Sequence, residues 1–86
     1  MDIIITYNDD KQIERIKEET LKVSPFFTFL DERNRKSRKE AFAIKNHWAA
    51  FATPFILCKE GDKPIKAFYS ESDSDVIQSL INYLNE

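Results

Sequence analysis

Very few side chains in this sequence are equipped for chemistry. There is one cysteine, Cys58, and one histidine, His47. A zinc site needs three or four ligands, so no metal is expected. Cys58 closes the apolar run Phe55-Ile56-Leu57-Cys58, where a thiol is expected to be buried and inert, because burial raises its pKa. Free cysteines commonly act as small core hydrophobes. His47 stands beside Trp48 near the expected end of a helix, where an imidazolium suits the dipole. The neighbouring acids Asp9 and Asp10 could exchange protons with a substrate. Asp9 with Gln12 three residues later is equally a capping box, and Asp is strongly favoured there for capping alone. Gly61 is the only glycine, so no phosphate-cradling loop is present, and no nucleophile motif supports a serine–histidine–carboxylate triad. No cofactor is expected.

The other conspicuous feature is Arg33-Asn34-Arg35-Lys36-Ser37-Arg38-Lys39, with five of the thirteen basic residues of the chain: Arg33, Arg35, Lys36, Arg38 and Lys39. Such a cluster can receive phosphates, nucleic acid or an acidic protein surface. No aromatic residue is interleaved with it, so the stacking pattern of single-strand binders is absent. Asp31, Glu32 and Glu40 flank it and offset part of its charge. A solvated loop and helix start would explain it too, although cations at a helix N-terminus oppose the dipole by about 0.3–1 kcal/mol each.

The elements that must position these groups follow from composition and periodicity. At 86 residues the chain is expected to form a single domain. One cysteine permits no internal disulfide, so packing must stabilise it; seven Phe, three Tyr and one Trp supply the area. A net charge of −2 gives no whole-molecule attraction to polyanions or membranes. No apolar run nears a membrane span of roughly 20 residues, and Met1-Asp2-Ile3-Ile4-Ile5 lacks the basic region of a signal peptide. A cytoplasmic location is expected.

Ile3 to Tyr7 is a β-branched run that reads as a strand covered on both faces. Ile13, Ile16, Thr20 and Val23 recur at helical spacing, predicting a helix over about Asp10 to Lys22, ended by Ser24-Pro25. Phe26 to Leu30 reads as a second, central strand. Ser37 with Glu40 offers a cap for a second helix whose stripe is Ala41, Ile44 and Trp48, with Phe42 on its flank. Pro54 opens a third strand, which turns at Glu60-Gly61-Asp62 into a fourth, Pro64 to Tyr69. Ser72 or Asp73 caps a last helix with Val76, Ile77, Leu80, Ile81 and Leu84 inward. The order is β-α-β-α-β-β-α. The first two strands should be parallel and the last two an antiparallel hairpin, giving an α/β fold with a mixed sheet. The expected core includes Ile3, Ile5, Ile16, Phe27, Phe29, Trp48, Phe55, Leu57, Phe68, Ile77 and Leu80.

With Thr53-Pro54 heading strand three, the segment Trp48-Ala49-Ala50-Phe51-Ala52-Thr53-Pro54-Phe55-Ile56-Leu57 and its place in this order resemble the thioredoxin superfamily in its minimal, glutaredoxin-like form. The resemblance implies sheet order 2-1-3-4, helices one and three on one face and helix two on the other, and a cis Thr53–Pro54 bond. Family enzymes carry Cys-x-x-Cys, or one Cys, at the head of helix one. Here that place is Asn8-Asp9-Asp10-Lys11-Gln12-Ile13, without a cysteine, and thiol–disulfide exchange needs a thiolate there.

The resemblance therefore implies a redox-inactive protein- or peptide-binding module. Its contact surface would be Ala52, Thr53 and Pro54, with Asn8, Asp9 and Asp10 as the neighbouring wall, and the two acids would bias the groove toward basic or neutral partners. Two other readings stand beside it. One is an enzyme with a non-standard site, Cys58 or the acids heading helix one; the other is contact with an anionic partner or nucleic acid through Arg33 to Lys39. The sequence names neither the partner nor the oligomeric state.

Overall fold

The computed structural model describes residues 1–20, 26–69 and 73–86. Strand β1 (Asp2–Tyr7) leads to helix α1 (Asp10–Thr20), strand β2 (Phe26–Asp31), helix α2 (Arg35–His47), the hairpin β3 (Phe55–Glu60) and β4 (Lys63–Tyr69), and helix α3 (Asp73–Leu84). The strands form one mixed sheet in the order β2-β1-β3-β4. β1 pairs in parallel with β2, Ile5 opposite Phe29, and antiparallel with β3, Ile5 opposite Ile56. Lys22, Val23, Ser24, Pro25 and Ser72, and the side chains of Thr20 and Asp73, lie outside the described residues.

Two apolar clusters hold the layers together, one on each face of the sheet. The larger joins Ile3, Ile5, Ile56 and Cys58 of the sheet to Ile13 and Ile16 of α1 and to Val76, Ile77, Leu80 and Ile81 of α3. The smaller, beneath α2, centres on Ala50, Phe55 and Leu57, with Ile4, Ile44 and Trp48 packed against it. Ile3, Ile5, Ile16, Phe55 and Leu80 are fully buried, each worth roughly 1.5–3 kcal/mol in surface removed from water.

Several expectations need correcting. β2 is an edge strand rather than a central one, so its aromatic residues are not enclosed: Phe26 is exposed, and Phe27 and Phe29 are half-buried with their rings stacked 5.8 Å apart. Trp48 and Phe68 are half-buried too. Helix α2 begins earlier than Ser37. Its cap is Asn34, whose side-chain oxygen accepts from the N–H groups of Lys36 (3.0 Å) and Ser37 (3.4 Å). Phe42 lies on the helix's solvent side.

The hairpin turns on two residues, Gly61 and Asp62, with Gly61 at φ +59°, which favours glycine. Pro64 is tolerated because β4 is an edge, where a missing N–H leaves no ladder bond unmade. Among the described residues, no helix is long and apolar enough to cross a membrane.

Candidate functional site

Of the residues singled out in the sequence, Asn8, Asp9, Asp10, Ala52, Thr53 and Pro54 come to the end of the sheet where β1 and β2 finish. Antiparallel pairing sets Phe55, at the start of β3, opposite Thr6 near the end of β1, so the Thr53–Pro54 loop comes to the same end. The Phe55 N–H donates to the buried Thr6 Oγ1 at 3.1 Å. The Glu32 N–H donates to the Tyr7 carbonyl at 2.8 Å, fixing the β2–α2 connection beside it. The Thr53–Pro54 peptide bond is cis. Among the described residues, neither the N–H nor the C=O of Ala52 or Thr53 makes a hydrogen bond.

The side chain of Thr53 is held from inside. Its hydroxyl donates to Glu32 Oε2 at 2.6 Å and accepts from Lys45 Nζ at 2.8 Å; Lys45 also donates to Glu32 Oε1 at 3.1 Å. Lys45 is only 5 % exposed, and the Glu32 side chain is almost as enclosed. Three elements meet in this cluster: the β2–α2 connection, the last turn of α2 and the loop. No motif in the sequence points to this cluster, where Glu32 reads only as a charge offsetting the basic run. The available signal was Lys45 itself, a cation next to the inward stripe residues Ala41, Ile44 and Trp48.

At the head of α1, Asp9 caps the helix by accepting the Lys11 N–H at 3.0 Å, while the Gln12 side chain reaches back to the Asn8 N–H at 3.1 Å. Asp10 is met by Arg33 at 2.6 Å, and Arg33 also grips Asp31 through Nε at 3.0 Å. The Arg33 hydrogen bonds hold the Asp31 carboxyl below its ordinary range, and Asp31 first, then Asp10, hold the guanidinium more firmly charged. Asp10 at this wall is thus paired with a cation that the sequence places in the basic patch, while Asp9 has no ion pair among the described residues. Arg33 leaves that patch. Arg35, Lys36, Arg38 and Lys39 stay in it, and none of them forms an ion pair among the described residues.

Cys58 lies in the larger apolar cluster with no exposed surface, its thiol pKa pushed up to about 11 by burial. It is remote from the loop, four residues along β3 from Pro54 and opposite Ile3. His47 is exposed at the end of α2, its ring edge-on to Trp48 at 6.2 Å. Among the described residues, no group of three or more His, Cys, Asp or Glu side chains could hold a metal ion.

The fold is thioredoxin-like. The structure of thioredoxin 1 from Thermosipho africanus TCF52B superposes with a TM-score of 0.62 at 20 % identity, covering 99 % of this chain and 96 % of that one. A structure described as that of a malarial protein superposes with a TM-score of 0.60 at 8 % identity, covering 96 % of this chain and 94 % of that one. No family model matches the sequence, and no curated protein does.

Proposed function

We propose that this chain is a redox-inactive, thioredoxin-like binding module of the cytoplasm, a single domain that works without a cofactor and holds an extended peptide segment of a partner protein at Ala52 and Thr53; Pro54, expected from the sequence to share that surface, is fully buried and shapes the loop from beneath. The observation that supports it best is the contrast within Thr53. Its side chain is anchored from below by Glu32 and Lys45, while the backbone groups of Thr53 and Ala52 have no partner within the described residues. Backbone donors and acceptors that are half-exposed and held in fixed geometry form a template for strand-addition recognition. Asn8, Asp9 and Asp10 supply the adjoining wall. Arg33 offsets part of their charge by pairing with Asp10, which weakens the bias toward basic partners expected from the acids alone.

Thiol chemistry is left out of this reading because the head of α1 holds no cysteine and Cys58 is buried with a raised pKa. The test is a selection of displayed peptides on the wild-type protein, followed by titration against Ala52→Arg. That change fills the loop surface without touching the Thr53 hydroxyl. Selected peptides should bind the variant at least about tenfold more weakly, a loss of roughly 1.4 kcal/mol. Equal affinity for both proteins would remove the loop from the reading.

A further inference from the structure

Helix α2 presents two unlike faces. Ala41, Ile44, Lys45 and Trp48 turn toward the sheet and the buried polar cluster. On the opposite side Arg35, Arg38, Lys39, Phe42 and Asn46 recur at helical spacing, all exposed. No acid stands in that row, because Glu40 falls to one side of it. Arg35 opens the helix, where the dipole disfavours a cation, and no carboxylate among the described residues pairs with any of the three cations. The aromatic residue at the far end of the row is not isolated. Phe42, Lys45, Asn46, Ala50 and Phe51 line a pocket of about 230 Å³. Phe42 is 48 % and Phe51 87 % exposed.

We infer that the outer face of α2 is a second contact surface, independent of the Ala52–Thr53 loop reading, which takes an acidic protein segment carrying one bulky apolar side chain. The apolar side chain enters the Phe42–Ala50–Phe51 pocket, and carboxylates on one side of it meet Arg38, Lys39 and Arg35. Charge complementarity selects an anionic partner. The pocket selects a peptide over a nucleic acid, since Phe42 and Phe51 wall one hole rather than standing at intervals as successive base-stacking rings. The sequence shows the cations without the anchor, because Phe42 reads as flanking the buried stripe and Phe51 lies beyond the end of the helix.

The experiment is a titration of the isotopically labelled full chain, followed by its backbone amide NMR signals. The probe is the acetylated, amidated peptide Glu-Asp-Glu-Phe-Glu-Asp, with a second peptide in which Gly replaces the Phe. Expected are shifts concentrated on Arg35 to Asn46 and on Ala50 and Phe51, and an affinity that falls as salt is raised. Losses of about tenfold are expected for Arg38→Glu with Lys39→Glu, and about fivefold for Phe51→Ala or for the Gly peptide. The charge-matched control Lys63→Glu with Lys66→Glu should bind the probe within about twofold of wild type, since rim charges remote from a contact contribute little. The proposal is overturned by absence of shifts at millimolar peptide, by shifts centred elsewhere, or by equal affinity for the two peptides. It is overturned in favour of a nucleic acid if an oligouridylate shifts the same residues at lower concentration. Because Phe51→Ala alters an exposed loop side chain, unfolding does not obscure the result.

Discussion

At the residue scale the feature that organises the site is the contact of Glu32, Lys45 and Thr53. Two opposite charges are taken out of water together, so each depends on the other to offset its desolvation. Lys45→Met alone should cost about 3–5 kcal/mol, since it strands a buried carboxylate, whereas Lys45→Met combined with Glu32→Leu should recover most of that loss. Urea denaturation read by linear extrapolation checks the pair. Cys58 gives a second residue-scale prediction. In the unfolded chain its thiol ionises near 9.0, in the fold at about 11. Between those values the unfolded state has released a proton that the folded state retains, so stability falls as pH rises across that window. The denaturation midpoint of the wild type should therefore drop faster than that of Cys58→Ala between pH 9 and pH 11, and parallel curves would contradict the burial of the thiol. The cysteine's burial was legible in the sequence because its neighbours in the run are all apolar. The Glu32–Lys45 contact was not, because it joins residues through a turn of backbone that no local pattern specifies.

Helix α2 is the element where local rules and tertiary structure differ most. Ser37 and Glu40 carry a capping-box spacing, yet Asn34 caps the helix: β2 ends at Asp31, which leaves a short connection and brings Asn34 to the first free N–H groups. At the other end the N–H of Ala50 donates to the Lys45 carbonyl at 2.9 Å and that of Ala49 to the Asn46 carbonyl at 3.1 Å, a Schellman closure. The position in that motif that prefers glycine holds Ala49, at φ 53°. The strain is local, and it sits where the chain is redirected from α2 toward Phe51 and the Thr53–Pro54 loop. Ala49→Gly should stabilise the protein by about 0.5–1 kcal/mol, measurable as a raised urea midpoint at unchanged slope. No change or a loss would mean that the methyl group contributes packing that outweighs the strain. Alternation of apolar runs and amphipathic stripes made every element legible; the helix ends were not, because caps are set by where neighbouring strands stop.

On the scale of the whole molecule, element order was enough to read which strands run parallel and which antiparallel, while the order β2-β1-β3-β4 came from the family resemblance. A helix between β1 and β2 enforces a parallel pair, and a two-residue turn between β3 and β4 enforces an antiparallel one. What element order did not convey is that an edge strand leaves its aromatics partly uncovered, so Phe27 and Phe29 are weaker core residues than their type suggests. Leu80, fully buried between α3 and the sheet, should lose about 2–5 kcal/mol on replacement by Ala, with Phe29→Ala costing less; the reverse order in urea denaturation would contradict the layering. Charge is likewise uneven: Arg35, Lys36, Arg38 and Lys39, none with an ion pair among the described residues, stand together on α2, while Arg33 is drawn away to Asp10 and Asp31. The proposed working surface of this thioredoxin-like chain is its loop and not its thiol. The most direct test takes a peptide selected on the wild-type protein and measures its affinity for Ala52→Arg and for Cys58→Ala, alongside disulfide reduction by each protein with a small thiol as reductant. The account predicts at least about tenfold weaker binding to Ala52→Arg, unchanged binding to Cys58→Ala, and no turnover by any of the three. Binding that survives Ala52→Arg, or a disulfide reductase activity abolished by Cys58→Ala, would contradict it.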